Sequence, residues 1–97
     1  MAIQSFKDKR VEDFFVQGKL KKGVGWASLK GIVKRKLDMM EYSTKLIDLR
    51  SPPANRLEAL KGDREGFYSI RINDQWRIVF QWSQWGPSNV NVEDYHS

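Results

Sequence analysis

Three residues with exchangeable protons stand in a row at Asp94, Tyr95 and His96, directly after a strand-like segment that Val90 and Val92 would anchor. A carboxylate, a phenol and an imidazole can between them accept, hold and return a proton, and the imidazole titrates nearest neutral pH. Two arginines belong beside them. Residues 67–72 and 76–82 alternate apolar and polar with period two, and Asn73, Asp74 and Gln75 between them have turn chemistry. A hairpin turning there pairs Ile72 with Trp76, Ile70 with Ile78 and Tyr68 with Phe80 on one face. It sets Arg71 against Arg77 on the other, beside Asn91, Glu93 and Tyr95 of the last strand. Like charges directly opposed on paired strands are unfavourable, by up to about 1 kcal/mol. Two guanidinium forks side by side, however, match the oxygens of a phosphate. Either this polar face holds an anion, or Arg71 pairs with Glu93 or another acid and the face is merely solvated.

Lys61 lies in the segment Leu-Lys-Gly-Asp-Arg-Glu-Gly at 60–66, where two glycines flank alternating charges. The spacing is not that of a phosphate-cradling P-loop. Taken alone, Lys61 reads as a surface lysine.

The elements that must position these groups divide the chain in two. Residues 3–6 are short and apolar and suit an edge strand. Ser5 and Asp8 have the spacing of a capping box, followed by Val11, Phe14 and Phe15 on one helical face and by Gly18 as a stop. From Trp26 the apolar positions Leu29, Val33, Leu37 and Met40 predict a second amphipathic helix, with Lys30, Lys34, Arg35 and Lys36 mostly off its stripe. The basic face so formed is open to two readings, ordinary solvation or contact with RNA or an acidic partner segment. Residues 44–49 read as a short half-buried segment, and the prolines at 52 and 53 break regular structure. The second half is a β meander, with a second turn over residues 83–88. Two N-terminal helices covering the apolar face of a mainly antiparallel sheet of about four strands make a compact α+β fold, one domain over residues 1–97.

Composition narrows the chemistry. The chain has 97 residues, no cysteine, one histidine and a net charge of +5. Without cysteine there are no disulfides, thiolate metal sites or cysteine nucleophiles, and with one histidine a multi-histidine metal site is not expected. We expect no metal and no cofactor. No apolar run is long enough to span a bilayer and no signal-peptide core is present, so a soluble cytoplasmic protein without membrane contact is expected. The basic balance points to a polyanionic partner, nucleic acid first.

The segment 55–66, Asn-Arg-Leu-Glu-Ala-Leu-Lys-Gly-Asp-Arg-Glu-Gly, then Trp76-Arg77-Ile78, then Glu93-Asp94-Tyr95-His96 resemble the HigB toxins, a branch of the RelE superfamily of bacterial toxin–antitoxin systems. The resemblance runs over nearly the whole chain, and Arg50-Ser51-Pro52-Pro53 is similar to a subgroup that includes the GraT toxin. It implies the RelE-like fold, cleavage of messenger RNA held in the ribosomal A site, and a HigA-like helix-turn-helix antitoxin as partner. The positions it matches are Lys61, Arg77, Asp94, Tyr95 and His96. One position departs: many HigB toxins have histidine where this chain has Glu58.

Under that resemblance, Arg77 with Lys61 would clamp the scissile phosphate, and Glu58 and Asp94 are candidate bases or orienting groups. His96 is a candidate acid, and Tyr95 would stack on a base or polarise the phosphate. Arg71, Arg64, Lys30, Lys34, Arg35 and Lys22 are the expected contacts to RNA, ribosomal RNA included. Two other classes compete: a non-catalytic RNA- or ribosome-binding module, and an interaction protein whose basic grooves receive an acidic chain.

Overall fold

A computed structural model describes residues 3–95. His96 lies outside the described residues. Two α-helices precede the sheet, α1 over Lys9–Gln17 and α2 over Lys30–Tyr42. Four strands follow: β1 Glu58–Ala59, β2 Phe67–Arg71, β3 Trp76–Ser83 and β4 Gly86–Asp94. They pair antiparallel in chain order, β1-β2-β3-β4.

The start of α1 differs from the capping-box expectation. Asp8 itself is the N-cap and accepts from the backbone N–H of Arg10, while the Ser5 hydroxyl accepts from the N–H of Asn89 in β4. The helix ends on Gly18, whose φ of 71° is open to glycine at little cost. α2 starts later than its apolar stripe, because Ala27–Leu29 forms a separate 3-10 turn ahead of it. The stripe is nevertheless the buried one. Val33, Leu37 and Met40 join Val11, Phe14 and Trp26 in one cluster with Ile70, Ile72, Ile78, Phe80, Val90 and Val92 of the strand region. Burying each large side chain here contributes about 1.5–3 kcal/mol.

The hairpin register is the one that period two predicts. Tyr68 pairs with Phe80, Ile70 with Ile78 and Arg71 with Arg77. Three expectations are corrected. The fourth strand is the short β1 rather than residues 3–6, which touch β4 through a single parallel bridge, Phe6 to Val90. That bridge is reinforced by Gln4 N–H to Pro87 O at 2.7 Å, Lys7 N–H to Val90 O at 2.9 Å and Val90 N–H to Ser5 O at 3.1 Å. The second turn is tighter than 83–88, since Ser83 already pairs with Gly86. Lys36 is not on the basic face: it is 6% exposed and donates to the side chain of Asn55, itself fully buried.

Candidate active site

Across the polar face of the sheet, one row runs Arg71, Arg77 and Glu93, and the next runs Glu58, Ser69, Val79 and Asn91. Arg77, expected on an open face, is instead the floor of the site and only 7% exposed. Its Nε donates to Ser69 Oγ at 2.7 Å, and its Nη2 donates to the carbonyls of Arg56 at 2.6 Å and Ser69 at 3.3 Å. Glu58 Oε1 stands 3.6 Å from the same Nη2. The Tyr95 ring lies over the guanidinium at 5.4 Å, a cation–π contact. Among the described residues, no bond is made by Nη1. No buried side-chain nitrogen or oxygen lacks a partner, so that nitrogen keeps access to solvent. A guanidinium has five N–H donors; these contacts fix its plane and leave one edge free.

Burial pulls the Arg77 pKa below its ordinary value, and the nearby Glu58 carboxylate opposes that shift. An arginine starts so high that it stays charged at neutral pH. The arrangement is therefore a permanent, oriented cation with a carboxylate on one side and a phenol on the other.

Each position singled out from the sequence has a place, apart from His96, which lies outside the described residues. Glu58, Arg77 and Tyr95 come together. Asp94 is adjacent in the chain and accepts from Gln75 Nε2 at 3.0 Å. Lys61 is exposed in the β1–β2 connection, where it lines a groove of about 610 Å³ with Leu60, Phe67 and Tyr68. Arg71 is paired with Asp74, its own turn residue, rather than with Glu93. Arg64 is paired with Glu93, its Nη2 at 3.0 Å from both carboxylate oxygens. Lys30, Arg35 and Lys22 are exposed. Lys34 is exposed too but pairs with Asp38 at 2.7 Å and lies over Phe15. Among the described residues, no group of three or more His, Cys, Asp and Glu is placed to hold a metal ion.

Sequence reasoning missed the supports of Arg77. Ser69 is its diagonal neighbour across β2 and β3, a relation that follows from the predicted register. The Arg56 carbonyl had no such signal. It is aimed by a left-handed backbone at φ 46° and ψ 57°, unusual for a non-glycine residue.

Residues 4–96 match the family model described as the RelE-like toxin of type II toxin–antitoxin system HigB. The chain is 40% identical over 82 residues to Toxin HigB-1 of Vibrio cholerae, 84% of each chain. It is 36% identical over 94 residues to Endoribonuclease HigB of Proteus vulgaris, covering 97% of this chain and 99% of that one. A solved structure, the YoeB/ParE toxin from Agrobacterium tumefaciens, superposes with a TM-score of 0.56 over 99% of this chain and 100% of that chain, at 17% identity. At that identity the likeness concerns the fold alone.

Proposed function

Since this chain belongs to the HigB-like family of RelE-like toxins of type II toxin–antitoxin systems, we propose that it is an endoribonuclease that arrests growth by cutting messenger RNA in the ribosomal A site. The observation that carries the reading is the Arg77 guanidinium, held by Ser69 and Arg56 with its Nη1 edge free beside Glu58 and Tyr95. The family relative named an endoribonuclease supports it.

The chemistry needs no group beyond this chain. A base removes the proton from a ribose 2′-hydroxyl, and the 2′-oxygen attacks the adjacent phosphorus. The bond to the 5′-oxygen breaks, and an acid protonates that oxygen. The products are a 2′,3′-cyclic phosphate and a 5′-hydroxyl. Arg77 Nη1 holds the non-bridging oxygens where negative charge gathers, and Lys61 adds a second cation from the groove. Glu58, half-exposed and within reach of the same guanidinium, is the base this chain offers in place of the common histidine. Asp94, oriented by Gln75, supports the residues at 95 and 96. Tyr95 stacks on Arg77 and borders the phosphate position, and His96 supplies the acid.

A single domain over residues 1–97, two helices packed on one face of the sheet, and a HigA-like helix-turn-helix antitoxin complete the reading. The common core cluster supports the packing. Action on ribosomes places the protein in the cytoplasm; no helix among the described residues is long and apolar enough to cross a membrane. Of the cations read as RNA contacts, Lys22, Lys30 and Arg35 are the exposed ones with no ion pair among the described residues, and they are assigned to ribosomal RNA.

Induction of the chain in a bacterial host, with mapping of message 5′ ends, tests this. New ends at codon positions are expected. They should disappear, with growth restored, in Arg77→Lys, which keeps the charge but loses the fork, a loss of about 100- to 1,000-fold for one transition-state contact. Intact messages on stalled ribosomes would favour the binding module instead.

A further inference from the structure

Little holds the β1–β2 connection, residues 60–66. Lys61, Gly62, Asp63, Glu65 and Gly66 are all exposed. Gly62 and Gly66 have φ of +69° and +95°, and a Cβ on either would meet nothing within 4 Å. Turn geometry, not packing, shapes the segment. Its backbone closes through Leu60 N–H to Phe67 O at 2.8 Å, Arg64 N–H to Lys61 O at 3.3 Å and Glu65 N–H to Gly62 O at 3.2 Å. Little beyond the base resists a displacement of such a hairpin as a body, and any such motion would carry Lys61 with it.

One side chain opposes that motion. Among the described residues, Arg64 is the one member of 61–66 whose side chain is hydrogen-bonded to another strand. It passes over the Phe67 ring, 5.6 Å from its centroid, and reaches Glu93 on β4. Between β2 and β4 lies β3, so this side chain crosses the polar face. Glu93 is the register partner of Arg77 and precedes Asp94 and Tyr95. The pair thus links the segment carrying Lys61 to the strand end carrying the residues on the far side of Arg77.

We propose that Arg64 is a positioning residue: its ion pair with Glu93 clasps the Lys61 segment to β4 and sets Lys61 at a fixed place relative to Arg77 and Tyr95. This rests on the ribonuclease reading, in which Lys61 contacts the phosphate. It differs from a direct contact of Arg64 with RNA, because Arg64 already has a partner and the groove lysine is the group that benefits. Misplacing a reacting group by about an ångström costs on the order of 100-fold in rate.

The test is a charge exchange. Arg64→Glu, Glu93→Arg and the double exchange are compared for kcat and KM on a 5′-labelled message bound to bacterial ribosomes, with thermal melting alongside. Each single variant should lose about 10- to 100-fold in kcat. The double exchange should recover to within a few-fold of the wild type, and all melt within a few degrees of it, since the pair is partly exposed. A double variant as impaired as the worse single overturns the clasp. So does full kcat in Glu93→Gln, which would leave Arg64 to act on RNA directly. If the wild-type chain cuts no message, the ribonuclease reading fails first. The clasp is then read from amide exchange over residues 61–66: faster in each single variant and restored in the double, or unchanged in all, which overturns it.

Discussion

Asn55→Ala should be among the most damaging substitutions in the chain, although it touches no reacting group. The carboxamide is fully buried. Its Oδ1 accepts from Lys36 Nζ, and its Nδ2 donates to Leu49 O at 3.0 Å and Ser51 O at 3.3 Å. Truncation leaves the ammonium of Lys36, a residue only 6% exposed, without its acceptor and two carbonyls without their donor. An orphaned buried polar group costs about 1–3 kcal/mol and a charged one more, so the total is about 3–5 kcal/mol. Set against a domain stability of about 5–15 kcal/mol, that is a large share. Urea unfolding of the purified variants measures it, and Lys36→Met with Asn55→Ala completes a double-mutant cycle. The double variant should recover about 1–3 kcal/mol relative to the sum of the singles, because no buried charge is then left over. The pH dependence has a definite sign. Burial, with Arg35 and Arg71 nearby, lowers the Lys36 pKa. The unfolded chain therefore binds more protons between the folded and the ordinary lysine values, and stability from this group rises with pH across that interval. An Asn55→Ala loss under 1 kcal/mol, or additive singles, would refute the buried-pair account.

Further outcomes are expected elsewhere. Leu37→Ala, at a fully buried position of α2, should cost about 2–5 kcal/mol, read as a lowered urea midpoint. In Gly25→Ala the new Cβ would lie 2.9 Å from the Trp76 ring, so a lower melting temperature and an altered tryptophan emission spectrum are expected. Asp48 accepts from the N–H groups of Thr44 and Lys45, and these bonds hold its carboxyl below the ordinary carboxylate range. Its stabilisation is present at neutral pH and is lost as pH falls through that lowered value. The difference in melting temperature between wild type and Asp48→Ala should shrink as the solution is acidified below about pH 4.

Much of the candidate site's face was legible because period two and a three-residue turn leave one register that buries the isoleucines. That register put Arg71 opposite Arg77 correctly. It did not reveal that Arg77 would be buried, because its cover comes from the Arg56 carbonyl and Tyr95, and no local pattern encodes either contact. β1 is two residues long, below what alternation can register. Lys36 was misplaced for a different reason. It lies three residues after Val33 and four before Met40, so it shares their helical face; a charged type on that arc reads as surface unless its partner is known, and Asn55 hides behind two prolines. Charge alone makes Arg64 a candidate RNA contact, and no local pattern in the sequence signals its ion pair with Glu93.

The bonds from residues 4–7 to β4 also bear on when the protein becomes dangerous to the cell that makes it. β4 supplies Val90 and Val92 to the core, Glu93 to the Arg64 ion pair and Asp94 to the Gln75 contact, and it receives the opposite end of the chain as a neighbour. Synthesis delivers the helices and the first hairpin before this strand leaves the ribosome. Until then the sheet lacks the strand that closes it, and contacts spanning more than eighty residues, such as Asn89 with Ser5, have no partner to form with. Toxicity is thus withheld from every nascent or prematurely released chain that stops before β4.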